Sequence, residues 1–84
     1  MKCGEIPLIV GFIFIKTLPK MEVKTYRDLK KIKEIKELTP LFGDYDIIAK
    51  IEARDFRKLS DIVLHKIRTH PGVLETITVP GTKI

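Results

Sequence analysis

Cysteine is almost missing from this sequence: Cys3 is the only one in 84 residues. No intrachain disulfide can form, and a single thiol near a terminus fits an unpaired residue in a reducing compartment. Long apolar runs are missing as well. The longest uncharged stretch, Ile6 to Ile15, is about ten residues long and contains Pro7 and Gly11, half of the roughly twenty residues that a membrane-spanning helix requires. No small-residue cleavage site follows it, which argues against a secretory signal, so the expectation is a cytoplasmic protein with no membrane association. Low-complexity tracts are absent, and 44% hydrophobic with 32% charged residues is the composition of a folded domain. A chain this short buries only somewhat more than half of the surface it exposes when unfolded, so an oligomer interface is an expected source of further burial.

Chemistry-bearing clusters are scarce too. Asp44 and Asp46 place two carboxylates near one turn, but His65 and His70 stand apart around a helix end and Cys3 is remote. A hard-cation loop carries more oxygen ligands than this. No nucleophile is accompanied by a base and an orienting group. The sequence therefore predicts no metal, no cofactor and no catalytic residue. Positive charge, by contrast, is plentiful: 16 Lys and Arg against 11 Asp and Glu leave a net +5, so nucleic acid or an acidic partner has to be weighed. Sequence-neutral RNA binding on a small α+β sheet normally uses strand aromatics in a K/R-G-F/Y-G/A-F-V pattern. Gly11 to Phe14 reads GFIF but lacks the basic start and the spacing, and Tyr45 to Ala53 does not match.

From Leu8 to Ile15 the residues LIVGFIFI are branched and aromatic with no polar alternation, the pattern of a strand buried on both faces. Thr17-Leu18-Pro19 breaks it. A helix follows, with Val23, Tyr26, Leu29 and Ile32 on one side and Lys20, Lys24, Arg27 and Lys31 as a separate basic stripe. A solvated helix face is the favoured reading of that stripe. Ile35 to Phe42 is the next strand, and Pro40 assigns it to a sheet edge because proline cannot donate to a ladder. Gly43-Asp44 then reads as a two-residue type II′ hairpin, glycine supplying the positive φ of its first position. Tyr45 to Ala53 alternates, with Tyr45, Ile47, Ala49, Ile51 and Ala53 on one face and Asp46, Ile48, Lys50 and Glu52 on the other. Asp55 suits a helix N-cap. Phe56, Leu59, Ile62, Val63 and Ile67 mark an amphipathic helix running to about Thr69, His70-Pro71-Gly72 stops it, and Val73 to Val79 is the last strand before Pro80-Gly81. His65, four residues after Asp61, belongs to the solvated side; Leu64 lies off the apolar stripe, as an oligomer contact or a stray surface leucine.

Two βαβ halves, residues 8–42 and 45–79, are thus joined at Gly43-Asp44 in one domain over residues 1–84 with its core at about 8–79. This is the split-βαβ, ferredoxin-like α+β sandwich of the dimeric α/β-barrel type: a four-stranded antiparallel sheet in the order 4-1-3-2, two helices on one face. The doubly apolar first strand then needs cover on the face without helices. Sheet-to-sheet homodimerisation through Ile9, Phe12, Phe14 and Ile48 is the simplest source. Thr76 and Thr78 lie on one side of the last strand, beside Leu74. Their hydroxyls reflect β-propensity, or donate to a ligand.

The strand-helix-strand opening, then LFGDYDIIAKIEA from Leu41 to Ala53, then DFRKLSDIVLHKIRTHPGVLETITV from Asp55 to Val79 together resemble the effector-binding (RAM) domain of the leucine-responsive/asparagine-operon (Lrp/AsnC) regulators over about residues 8–79. The most specific parts are Gly43-x-Tyr45-Asp46, and Ile67 through Pro71-Gly72-Val73 to Thr76-x-Thr78. Full-length relatives carry a helix-turn-helix domain ahead of this one. Here the chain starts almost directly in the first strand, so the expectation is a stand-alone form without sequence-specific DNA binding of its own. The resemblance implies face-to-face dimers that assemble into rings of four dimers, with small effectors, typically amino acids, bound between dimers near the hairpin turn. It implies a pocket of Gly43, Asp44, Tyr45 and Asp46, with Leu41 and Phe42 selecting the side chain and Thr76 and Thr78 contributing. Turn amides suit an α-carboxylate and an aspartate suits an α-ammonium. Two departures stand out: Lys20 follows Pro19 where the family often has glycine, and Pro80-Gly81 falls where many relatives continue the strand.

The expected function is amino-acid sensing at an inter-dimer site, modulating transcription through assembly or through co-assembly with full-length Lrp/AsnC regulators. The alternatives are an oligomerisation module indifferent to ligands and, further off, a small dimeric α/β-barrel enzyme.

Overall fold

In the computed structural model, which describes residues 8–81, the elements are β1 (Ile9–Thr17), α1 (Glu22–Leu29), β2 (Ile35–Pro40), β3 (Ile47–Ala53), α2 (Phe56–Ile62) and β4 (Val73–Pro80). The expectation for Cys3 falls outside those residues. The last turn of α2 widens into a π-type turn over Val63–Ile67, closed by Arg68 N–H donating to the Val63 carbonyl at 2.8 Å. The strands form one antiparallel sheet ordered β2-β3-β1-β4, the order expected from the sequence. Pro40 stands on the edge strand β2, where its missing N–H costs no ladder bond.

Period-two alternation builds the core. Ile13 and Ile15 of β1 pair with Ala49 and Ile47 of β3, and all four are buried beneath Leu29 of α1 and Leu59, Ile62, Val63 and Ile67 of the α2 segment. Each buried isoleucine or leucine contributes about 1.5–3 kcal/mol relative to exposure. Leu59 seats directly on β1, because Gly11 leaves room: a Cβ there would lie 2.5 Å from a Leu59 methyl. Asp55 caps α2 as expected, its Oδ1 accepting from Lys58 N–H at 2.8 Å.

Several expectations are corrected. Within one chain β1 is buried on one face only: Phe12 is exposed and Phe14 half-buried on the side without helices. Ile9 has the parity of Gly11 and Ile13 and packs against the helix-side core, so it stands on the opposite face from Phe12, Phe14 and Ile48. The buried stripe of α1 is Thr25 and Leu29, whereas Val23 is exposed. Gly72 passes so close to Thr25 that a Cβ on it would collide with Thr25 Oγ1, so position 72 needs glycine. Phe56 is exposed at the start of α2, leaving Leu59, Ile62, Val63 and Ile67 as its packing face.

The hairpin is not the two-residue turn. Leu41 N–H donates to the Asp46 carbonyl at 2.7 Å, so the connection closes around Phe42 to Tyr45. Gly43 does adopt the positive φ anticipated for it, at 119°, a region open to glycine alone at no steric cost. β3 starts at Ile47 and not at Tyr45, and Tyr45 and Asp46 lie on the faces opposite to those the alternation assigned them, Tyr45 against Phe14 and Glu75 and Asp46 beside α1.

Candidate functional site

The loop from Leu41 to Asp46 is held at both shoulders and open at its tip. On one shoulder, Thr17 at the end of β1 donates its backbone N–H and its hydroxyl to Asp46 Oδ2 at 2.8 and 3.0 Å, while Asp46 N–H donates to the Ile15 carbonyl at 2.9 Å. On the other, Tyr45 turns onto the open face of the sheet. Its ring meets Phe14 edge-on, centroids 6.0 Å apart at 61°, a geometry favoured by the ring quadrupoles. Its hydroxyl donates to Glu75 Oε2 on β4 at 3.0 Å. Partial desolvation first, then the bond to the Glu75 carboxylate and the negative charges of Glu75 and Asp44, raise the Tyr45 pKa above the ordinary phenol value. Tyr45 therefore stays protonated and donating throughout the neutral range.

Between these shoulders Phe42, Gly43 and Asp44 are exposed, Phe42 completely. Leu41 is half-buried behind them. On the helix side of the Asp46 shoulder, an apolar cleft of about 250 Å³ is lined by Glu22, Val23, Tyr26, Pro40, Asp46 and Ile47. The sequence had no signal for this cleft, which unites α1 with the β2–β3 hairpin. Thr17 and Glu75, the two residues that orient the loop, were equally silent, lying 29 and 30 positions from their partners.

Thr76 and Thr78 stand apart from the loop tip. They pair with Ile15 and Ile13 across β1 and share the helix-side parity, half-exposed along the sheet edge. The eight residues expected at the site are thus divided within one chain: Leu41 half-buried behind the loop tip, Phe42 to Asp44 outward, Tyr45 toward the open sheet face, Asp46 toward α1, Thr76 and Thr78 along β4.

The open sheet face is the other candidate surface. Register places Phe14 between Ile48 and Ile77, and Phe12 between Lys50 and Val79. Ile77 and Val79 are each 44% exposed, making a contiguous apolar centre. Its rim is charged: Lys50 pairs with Glu37 at 3.6 Å, and Lys16 stands opposite Glu75.

A further polar knot joins α1 to the α2–β4 connection. Gly72 N–H donates to His70 Nδ1 at 2.9 Å, which fixes the tautomer: Nε2 carries the proton and donates to Asp28 Oδ2 at 2.8 Å. The bond from His70, reinforced by Lys24 at 3.2 Å, lowers the Asp28 pKa. His65 and Leu64 are exposed on α2. Among the described residues no group of His, Cys, Asp and Glu is arranged to hold a metal, and no helix is long and apolar enough to cross a membrane.

The family model for the Lrp/AsnC ligand binding domain matches residues 10–80. Among solved structures, FFRP-DM1 is 28% identical and superposes with a TM-score of 0.83, covering 88% of this chain and 99% of that one. A transcriptional regulator from Neisseria meningitidis, solved as a complex with L-Met, is 21% identical with a TM-score of 0.80, over 89% of this chain and 50% of that one. A homocitrate synthase of Saccharolobus islandicus is 40% identical over 52 residues, 62% of this chain. The match spans only 11% of the length of that enzyme.

Proposed function

Because the chain belongs to the Lrp/AsnC ligand-binding domain family, a family of regulatory effector-binding domains, we propose that it senses a small effector, an amino acid, at a site formed where the Leu41–Asp46 loops of neighbouring dimers meet. The observation that carries this reading is the loop itself. Both shoulders are fixed, by Thr17 on Asp46 and by Phe14 and Glu75 on Tyr45, while Phe42, Gly43 and Asp44 are presented to solvent. A preorganised loop with its recognition groups facing outward binds at low entropic cost once a second surface closes over it. The exposed amides suit a carboxylate, Asp44 suits an ammonium, and Phe42 offers an apolar contact. The Neisseria regulator bound to L-Met supports an amino acid as the effector class.

The dimer in this proposal is made by the open sheet face, through Phe12, Phe14, Ile48, Ile77 and Val79. Higher assembly, an octameric ring of four dimers, brings the loops together. An effector then acts by favouring one assembly over another, which is all that a ligand can do. The output is transcriptional, in the cytoplasm, through homo-oligomers or co-assembly with full-length Lrp/AsnC regulators. Light scattering after size exclusion, repeated with each of the twenty amino acids at millimolar concentration, tests it. One or a few should change assembly and raise the melting temperature, and Asp44→Ala should abolish both responses with the fold intact. A ring that is indifferent to every amino acid would instead identify a ligand-independent oligomerisation module.

The homocitrate synthase match favours a second reading. There the similar segment is a small part of an enzyme, so the same sensing unit can report to a catalytic partner in place of DNA. On that reading the effector alters the turnover of an enzyme mixed with this chain and leaves promoter occupancy unchanged.

A further inference from the structure

Most of the chain's excess charge sits in one short segment. Residues 20–36 hold seven Lys and Arg (Lys20, Lys24, Arg27, Lys30, Lys31, Lys33 and Lys36) against Glu22, Asp28 and Glu34, a net +4 of the total +5. Five of these cations, Lys20, Lys24, Arg27, Lys30 and Lys31, line one shallow groove of about 810 Å³ along the outward side of α1 and the turns at its two ends, together with Val23 and the carboxylate of Asp28. Lys24 is paired with Asp28, and Glu34 is taken up by Lys66 of the α2 segment at 2.7 Å. Among the described residues Lys20, Arg27, Lys30 and Lys31 have no ion pair.

Lys20 enters the groove from the turn ahead of α1. It is the one described non-glycine residue with positive φ, at 70°, a left-handed conformation that an L side chain adopts at a steric cost and glycine adopts freely. The turn itself demands it: Met21 N–H donates to the Leu18 carbonyl at 3.0 Å, closing a four-residue turn with Pro19 second and Lys20 third, the position at which a type II turn requires positive φ. Here it sets a fourth unpaired cation at the mouth of the groove.

We propose that the outward face of α1 is a sequence-neutral binding site for the phosphate backbone of duplex nucleic acid. From Lys24 to Lys31 the helical rise covers about 10 Å, a length over which a duplex presents about six phosphate charges. The groove offers no apolar anchor beyond Val23, which disfavours a protein partner, whose interface needs a desolvated hydrophobic centre. The aromatic ring of the segment, Tyr26, is already covered by Lys30 Nζ at 5.6 Å from its centroid. No stacking platform is left for unpaired bases, so a duplex is favoured over a single strand. The surface reads no bases and positions the backbone only. The inference does not depend on effector binding.

The test is fluorescence anisotropy of the full chain with a labelled mixed-sequence 20-base-pair DNA duplex between 50 and 200 mM NaCl. Four phosphate contacts should weaken binding about a hundredfold across that range, from a log–log slope of about −0.9 per contact. The double variant Arg27→Ala/Lys31→Ala should flatten the slope by about two contacts. Lys20→Gly should flatten it by about one without lowering the melting temperature, which separates binding from folding. Arg57→Ala/Lys58→Ala, the same charge loss on α2, should leave the slope unchanged. Absence of binding at 50 mM salt would overturn the proposal. So would an unchanged slope in Arg27→Ala/Lys31→Ala, an equal loss in the α2 control, or polyglutamate binding as tightly as the duplex.

Discussion

Asp46 gives the clearest separation between what a residue looks like and what it does. In the sequence it is the second carboxylate of a polar turn, an apparent partner for an α-ammonium. In the fold its Oδ2 is occupied twice by Thr17, tying the hairpin loop to the end of β1. Asp46→Ala removes a charged acceptor from a half-buried backbone N–H and should cost about 2 kcal/mol, read as a lower denaturation midpoint in urea. Asp44→Ala, at the exposed tip, should leave that midpoint unchanged. Asp28 is a second residue whose role is read in pH. Its folded pKa is lowered by His70 and then Lys24, so the stability it contributes is complete above its unfolded value, about 4, and is lost as pH falls through the folded value. Asp28→Asn should therefore melt earlier than the wild-type chain at pH 7, with the two converging below about pH 4. Neither partner was legible beforehand: Thr17 and His70 meet their carboxylates across 29 and 42 positions, and only the fold sets those distances.

At the scale of elements, close approach explains more than propensity does. Leu59 of α2 occupies the space a side chain at position 11 would need, and Gly72 lets the α2–β4 connection pass against Thr25 of α1. Gly11→Ala should overpack this seam and destabilise the fold by about 1–3 kcal/mol, measurable as a drop in melting temperature. The β3 alternation was legible from Ile47 to Ala53, because a half-buried strand writes its faces into every second residue, but ahead of the strand Tyr45 and Asp46 take the faces opposite to those the alternation assigned them. Helix α1 was read less well. At eight residues it offers two turns for a period to declare itself, and the apolar Val23 stands among the lysines while the polar Thr25 is buried. The two-residue hairpin was misread for a related reason. Gly43 does take a positive φ, but the last hydrogen bond between the two strands runs from Leu41 to Asp46, which leaves Phe42 to Tyr45 in the connection, a closure that no local pattern records.

For the molecule as a whole, the unpaired feature is the sheet face of Phe12, Phe14, Ile48, Ile77 and Val79, apolar at its centre and charged at its rim. In the dimer proposed above, a second copy gives this surface self-complementary apolar cover. Ile77→Lys points from the centre of that face and should shift the species seen by light scattering toward monomer, while circular dichroism still reports the folded chain. The helix layer faces the other way, so the basic groove on α1 remains accessible in such a dimer. Assembly through one face and binding on the other are then physically separable, and each can be lost without the other.

The order and type of the elements, the sheet order, the edge position of Pro40 and the Asp55 cap were all determined by the sequence itself. Each depends on periodicity or on the conformational limits of single residues, which act locally and leave a local trace. The tertiary structure alone decided where the carboxylates of the loop point and which helix face is buried. Those outcomes depend on distances between residues far apart in the chain, set only when the core closes.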